Sequence, residues 1–143
     1  MITVSNLTKR YGSRVAVSDM TFDVAPGRVT GFVGPNGAGD VRYHGVSYTR
    51  MQHPTRVVGS VLDAGAMHPG RTAREHLRAM AALSSIAARR VDEVLHEVGL
   101  DTAADQRAGG FSLGMRQRLA LAGALLGEPD VLLLDEPSNG LDP

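Results

Sequence analysis

The sequence predicts an α/β fold with a β-rich N-terminal part, a partial parallel-sheet core and a helical subdomain. Three observations carry this. Met20, Phe22 and Val24 alternate with polar residues, the period of a half-buried strand. Across residues 71–126 the apolar spacing changes to that of helices. Val131-Leu-Leu-Leu134 is then a continuous apolar run, as in a strand covered on both faces.

The composition bounds what such a chain does. At 143 residues and 43% apolar it is long enough for one domain with a core, and too apolar for general disorder. Formal net charge is zero and no long basic run occurs, so nothing points to a nucleic-acid partner. The chain has no cysteine, which excludes disulfides and thiolate metal sites and fits a reducing compartment. Met1-Ile-Thr-Val-Ser-Asn6 lacks the charged start and apolar run of a signal peptide. The longest apolar stretch, around Leu119–Leu126, is too short to span a bilayer, so a soluble or membrane-peripheral chain is expected.

The elements follow in order. Ile2, Val4 and Leu7 suggest an opening strand, and Met20–Val24 another. Pro26-Gly27 marks a turn before a third strand pattern, Arg28-Val-Thr-Gly-Phe-Val33. Gly34-Pro-Asn-Gly-Ala-Gly39 comes next, with the glycine spacing of G-x-x-x-x-G-K-[ST]. In that motif backbone amides and the following helix N-terminus hold phosphate oxygens. Its lysine meets the β and γ phosphates and its hydroxyl holds Mg²⁺. Here Asp40 and Val41 stand in those two places. A unit-charge pair about 4 Å apart is worth roughly 4 kcal/mol at an effective dielectric near 20, and aspartate reverses the sign. The chain's only lysine, Lys9, lies far upstream. Val41-Arg-Tyr-His-Gly-Val-Ser-Tyr48 reads as a short strand directly after the loop. That leaves no room for the dozen or more residues that a parallel crossover needs.

Residues 71–100 read as helical. Thr72 and Glu75 make a T-x-x-E capping box, Leu77, Met80 and Ala81 share a face, and Val91, Val94, Leu95 and Val98 repeat at helical spacing. Gly99 is a C-terminal stop. A loop over Gln106–Phe111 precedes Ser112, which caps a third helix running to about Leu126. Gly127-Glu-Pro-Asp130 is a turn into Val131–Leu134. Asp135 and Glu136 then emerge at the C-terminal end of that strand, where open α/β sheets place ligands.

Four stretches in this order resemble the ATP-binding cassette (ABC) family, the nucleotide-binding subunits of ABC transporters, and so imply a P-loop NTPase fold of the ABC ATPase type. They are Gly34–Gly39, Phe111-Ser-Leu-Gly-Met115-Arg-Gln-Arg118, Val131–Pro137 and Ser138-Asn-Gly-Leu-Asp142. The second is similar to the signature motif LSGGQ with its Arg/Lys-Gln-Arg tail, the third to the Walker B strand and the fourth to the D-loop. The variant signature and His68-Pro-Gly-Arg-Thr-Ala-Arg-Glu-His-Leu77 look most like the drug-export and antibiotic-resistance branch.

The resemblance implies ATP and Mg²⁺ as cofactors. It implies that Tyr11 stacks on adenine, and that Gly34, Pro35, Asn36, Gly37, Ala38 and Gly39 hold phosphates. It implies that Asp135 binds Mg²⁺ and that Glu136 is the general base. Asp63 falls near the Q-loop glutamine, and Asp142 is the D-loop aspartate. Ser112, Leu113, Gly114 and Met115 would face the ATP of a second nucleotide-binding subunit across a head-to-tail dimer. The further partners implied are membrane-spanning permease subunits, and the location is the cytoplasmic side of the membrane.

The chain also departs from the family. The P-loop lysine, its Ser/Thr and the helix after them are absent, and Gly39-Asp-Val-Arg-Tyr-His-Gly45 looks like a later strand joined on by an in-frame loss. The chain stops at Pro143, just past the D-loop. The family's switch histidine lies on a later strand, whereas His44, His53, His68, His76 and His96 all precede Asp135. The expectation is therefore one truncated nucleotide-binding domain. Its parts are a β-rich part with the P-loop remnant over 1–64, a helical subdomain over 65–127, and Walker B with D-loop over 128–143. Its ATP hydrolysis alone should be negligible. Exposed apolar surface and unpaired strand edges should make the fold marginal. The alternatives are a non-catalytic half-site that lends its signature to an intact subunit, or a gene remnant. A dinucleotide-binding reading fails, because Gly34, Gly37 and Gly39 do not form G-x-G-x-x-G.

Overall fold

The computed structural model describes residues 2–25, 38–43, 45–61 and 67–134. The chain divides into two compact units, Met1–Pro54 and Thr55–Pro143.

The first unit is an antiparallel sheet. Strand β1 (Ile2–Tyr11) turns through Gly12, at φ +56°, into β2 (Arg14–Val24), in register from Ile2 opposite Val24 to Tyr11 opposite Arg14. The other edge of β1 takes β3 (Ala38–Tyr43), and β3 takes the two-residue β4 (Val46–Ser47), giving the order β2-β1-β3-β4. The β1–β2 ladder slips at three places. Asn6 and Asp19, beside these slips, adopt left-handed backbone, which short polar side chains tolerate. Threonine hydroxyls repair the ladder there. The Asn6 N–H donates to Thr21 Oγ1 and the Asp19 N–H to Thr8 Oγ1, each at 3.1 Å. The buried side chains Val4 and Tyr43 share one face, since Tyr43 pairs with Ile2 and Ile2 lies two residues from Val4. The Tyr43 ring meets Tyr48 edge-on, with centroids 6.4 Å apart.

The stretch 41–48, expected as one strand, is two. Gly45 sits at φ +79°, in the left-handed region that lets so short a loop reverse β3 into β4.

The second unit pairs β5 (Val58–Val61) with β6 (Val131–Leu134) in parallel, Val58 opposite Val131 and Val61 opposite Leu134. Between them runs a helical insert of α1 (Ala73–Leu83), α2 (Arg89–Glu97) and α3 (Leu113–Leu125). Its core is Leu77, Ala81, Val91, Val94, Leu95, Leu100, Phe111, Leu119, Ala122 and Leu126, all buried. These include every apolar position expected from helical spacing on α1 and α2 except Met80 and Val98, and Val98 packs against the cluster. Burying each large side chain contributes about 1.5–3 kcal/mol.

The helical stretch over 71–100 is broken between α1 and α2. Ser85 adopts left-handed backbone, and the Ile86 N–H closes the end of α1 on the Ala81 carbonyl at 2.8 Å, which turns Ile86 back against the core. Strand β5 has no counterpart among the sequence expectations: Val58-Gly-Ser-Val61 is short and carries a glycine. The β6 side chains Leu132, Leu133 and Leu134 are 39, 40 and 47% exposed, where coverage on both faces was expected. Among the described residues β6 has only β5 beside it.

Candidate functional site

Two helices begin on hydroxyl caps, and their first turns differ. At α1 the Thr72 hydroxyl accepts from the Glu75 N–H at 3.1 Å, and the Glu75 carboxylate accepts from the Thr72 N–H at 2.8 Å. The next amides are also engaged: Ala73 donates to the Gln106 carbonyl at 3.2 Å and Arg74 to the Ala104 carbonyl at 2.9 Å. These bonds from Thr72, its backbone N–H first, hold the Glu75 carboxyl below the usual carboxylate range. The start of α1 is thus sealed by its own insert.

The start of α3 is open. Ser112 Oγ accepts from the Met115 N–H at 3.3 Å, which leaves the hydroxyl hydrogen to donate outward. No hydrogen bond to the Leu113 or Gly114 amide occurs among the described residues. Ser112 and Leu113 are exposed, and a Cβ placed on Gly114 meets nothing within 4 Å. No acid occupies the first turn, and Arg116 follows Ser112 by one turn on the same side. Unpaired amides at the positive end of a helix dipole, beside a hydroxyl and a guanidinium, suit an anionic oxygen such as a phosphate's.

This end is held rigidly. Phe111, directly before the cap, is 4% exposed, Met115 packs on the core, and Leu119 is fully buried. The Arg118 guanidinium donates to the Gly99 carbonyl at 3.0 Å and the Val98 carbonyl at 3.4 Å, capping the C-terminus of α2. Gly99 is the stop the sequence marks, at φ +65°. At the far end Arg90 donates to the Leu125 carbonyl at 3.3 Å and pairs with Glu97 at 2.6 Å and Glu93 at 3.1 Å. Arg74 ties α1 to Asp105, at 2.9 Å, and to Asp92 on α2. Its hydrogen bond holds the Asp105 carboxyl low.

The structure brings together Ser112, Leu113, Gly114 and Met115. Tyr11 ends β1, opposite Arg14. Ala38 and Gly39 lie within β3. Gly34, Pro35, Asn36, Gly37, Asp63, Asp135, Glu136 and Asp142 lie outside the described residues. The positioning roles of Arg74 and Arg118 went unread because their partners are distant in sequence, as is the Leu125 carbonyl that Arg90 meets; the Arg90 pairs with Glu93 and Glu97 are local and were missed. Only Arg118 carried a signal, as part of the Arg-Gln-Arg tail. None of the described helices is long and apolar enough to cross a membrane.

Comparison with known proteins agrees with these motifs. The sequence pattern of ABC transporters matches residues 17–139. The bacitracin transport ATP-binding protein BcrA of Bacillus licheniformis is 36% identical over 162 residues, matching all of this chain and 53% of its own length. The lantibiotic transport ATP-binding protein SrtF of Streptococcus pyogenes is 29% identical over 160 residues, matching all of this chain and 69% of its own length. The chain thus spans about half the length of the bacitracin relative. Among solved structures, cbiO1 of Clostridium perfringens, part of the transporter complex cbiONQ, superposes with a TM-score of 0.77 at 23% identity. That match covers 99% of this chain and 67% of cbiO1, and it shows the fold. This chain belongs to the ABC transporter family, with the α/β fold of its ATP-binding domains.

Proposed function

We propose that the chain is an ATP-binding subunit of an ABC transporter whose own nucleotide capture is impaired and whose signature half-site is intact. The observation that carries this is the open, Ser112-capped start of α3, fixed by Phe111 behind it and Leu119 below. The start of α3 fits a phosphate: it offers the Leu113 and Gly114 amides, the Ser112 hydroxyl and Arg116, and no acid. The backbone at Ala38–Gly39, an extended strand, does not fit one.

A shortfall inside the chain supports the impairment. The alignment with the bacitracin relative runs over 162 residues against the 143 of this chain, a difference of 19. It accords with the loss of a loop end and the helix after it.

The remaining assignments follow the family motifs. Asp135 would hold Mg²⁺, Glu136 would take the proton of the attacking water, Tyr11 would pack on adenine, and Asp63 and Asp142 would act as Q-loop and D-loop residues. Bound MgATP supplies the transferable phosphoryl group. The chain would work on the cytoplasmic face of the membrane with a permease subunit and a second nucleotide-binding subunit, in a homo- or heterodimer.

Calorimetric titration with MgATP should give a Kd near 1 mM or weaker, about −4 kcal/mol. Micromolar affinity would refute impaired capture. ATPase turnover should not exceed that of Glu136→Gln.

A second reading, a regulatory subunit without catalysis, is favoured by the contrast between the formed α3 start and the strand at Ala38–Gly39. Mixing with an intact relative should change that relative's ATPase rate, and Ser112→Arg should remove the effect. No change at any ratio would dispose of this reading.

A further inference from the structure

We propose that the second unit carries a binding site for a small organic oxyanion, a carboxylate or phosphate ester with an apolar body, in a cavity at the C-terminal end of α3. The cavity holds about 340 Å³, at the lower end of the range of small-molecule sites. Roughly 20 Å of helix separates it from Ser112, so it stands apart from the signature half-site.

The backbone builds the cavity. A Cβ on Gly127 would stand 2.0 Å from the Thr55 carbonyl oxygen, so glycine is what lets the approach to β5 pass so close to the exit of α3. Glu128 follows at φ +51°, a left-handed backbone uncommon for glutamate and of the kind that gathers at ligand clamps. On the other side the chain returns from Ser85 into α2. Ile86, Ala87 and the buried Leu126 give the cavity an apolar part.

The charges decide what it takes. Three arginines line it, Arg56, Arg89 and Arg90, with two acids, Glu93 and Glu128. Both acids are turned to Arg90: Glu93 at 3.1 Å, and Glu128 at 3.9 Å from Nε. Arg56 and Arg89 have no ion pair or side-chain hydrogen bond among the described residues. Each offers a planar fork that matches a carboxylate or phosphate. Arg90 is itself incomplete, since its Nε is buried without a hydrogen-bond partner among the described residues. Helix α2 also opens here without a side-chain cap, and the Arg89 amide has no acceptor among the described residues. An oxyanion meets all of these donors, and its apolar body covers Ile86 and Leu126. A cation finds two unpaired guanidinium groups and no unpaired acid.

The test uses the whole chain, isotope-labelled, with backbone amide shifts read by nuclear magnetic resonance. The probes are phenyl phosphate, benzoate, inorganic phosphate as a head group alone, and benzylamine as a cation of similar bulk. Phenyl phosphate or benzoate should move the amides of Ala87–Arg89 and Gly127–Glu128 saturably, with a Kd on the order of 1 mM. Arg56→Gln and Arg89→Gln should each weaken this about tenfold, the value of a hydrogen bond to a charged group, at an unchanged urea midpoint. Ser112→Arg should leave it unaltered.

Shifts confined to residues 112–116 would overturn the proposal and leave the function proposed above standing. So would no saturable shift from either aromatic anion up to about 20 mM. An equal response to benzylamine would overturn it, as would inorganic phosphate binding as tightly as phenyl phosphate. Undiminished affinity in both glutamine variants would do the same.

Discussion

Gly59 sets how closely β5 approaches α3, and replacing it by alanine should loosen the second unit. A Cβ on Gly59 would stand 2.3 Å from the Ala124 carbonyl oxygen, 3.0 Å from the Ala124 carbonyl carbon and 2.9 Å from Leu132 Cδ2. Ordinary contacts of this kind lie at 3.4–4 Å. The Leu132 side chain can swing aside. The carbonyl cannot, because it belongs to the last turn of α3. The strand and the helix must therefore part by roughly 1 Å, and overpacking of this sort typically costs about 1–3 kcal/mol. With backbone on both sides of the clash, the upper end applies: about 3 kcal/mol, or a fall in Tm of roughly 10 °C for a chain of this size. Gly114→Ala is the control. Its Cβ meets nothing within 4 Å in the first turn of α3, and alanine there should add about 0.4–1 kcal/mol by restricting the unfolded chain. Urea unfolding followed by circular dichroism at 222 nm measures both, as midpoint shifts at constant slope. A Gly59→Ala protein within about 0.5 kcal/mol of its parent, the range of neutral surface changes, would refute the packing argument.

Three further outcomes are expected. Thr72→Ala opens the capping box of α1 and should cost about 1 kcal/mol by the same assay; no loss would mean that the bonds from Ala73 and Arg74 suffice to start the helix. Burial, and then Arg71, keep the half-buried His76 imidazole below its ordinary pKa of 6.5. The unfolded chain therefore binds this proton first, so the stabilisation is complete above pH 6.5 and is lost as pH falls through the folded pKa. His76→Gln should flatten the urea midpoint between pH 7.5 and 5.5 relative to the parent, and identical profiles would reject the assignment. Arg90→Ala leaves Glu93, Glu97 and the Leu125 carbonyl without their shared donor. It should cost about 2–3 kcal/mol, and Arg90→Lys should recover only part because a lysine cannot reproduce the fork; full recovery by lysine would count against the geometry.

What is legible in the sequence follows the range of the interactions. The helical insert is legible because its signals are local: Thr72 and Glu75 lie three residues apart, Ser112 and Met115 likewise, and Gly99 adjoins the helix it ends. Each of those positions does in the structure what its chemistry predicts. Strand β5 is not legible, because Gly59 earns its place only through Ala124, far along the chain. Nor is the break at Ser85, which the return of Ile86 to the core imposes on residues of adequate helix propensity. In the first unit β1 and β2 are legible and β3 only from Val41 on, the strand expected over Arg28–Val33 lies outside the described residues, and the partner of β3 is not legible. Nothing local in Ala38–Tyr43 names β1 as its neighbour.

That difference in range bears on function. The open start of α3 needs the Ser112 cap and a buried residue on either side, Phe111 and Leu119. It therefore depends on the helical insert, whose core buries Phe111 and Leu119. A phosphate loop needs a strand before it and a helix after it, and its glycines tolerate other backbone shapes if the helix is missing. Here Ala38–Tyr43 instead pair antiparallel along β1, from Thr8 opposite Ala38 to Ile2 opposite Tyr43. On the function proposed above, any activity this protein keeps should appear only in the presence of an intact second subunit.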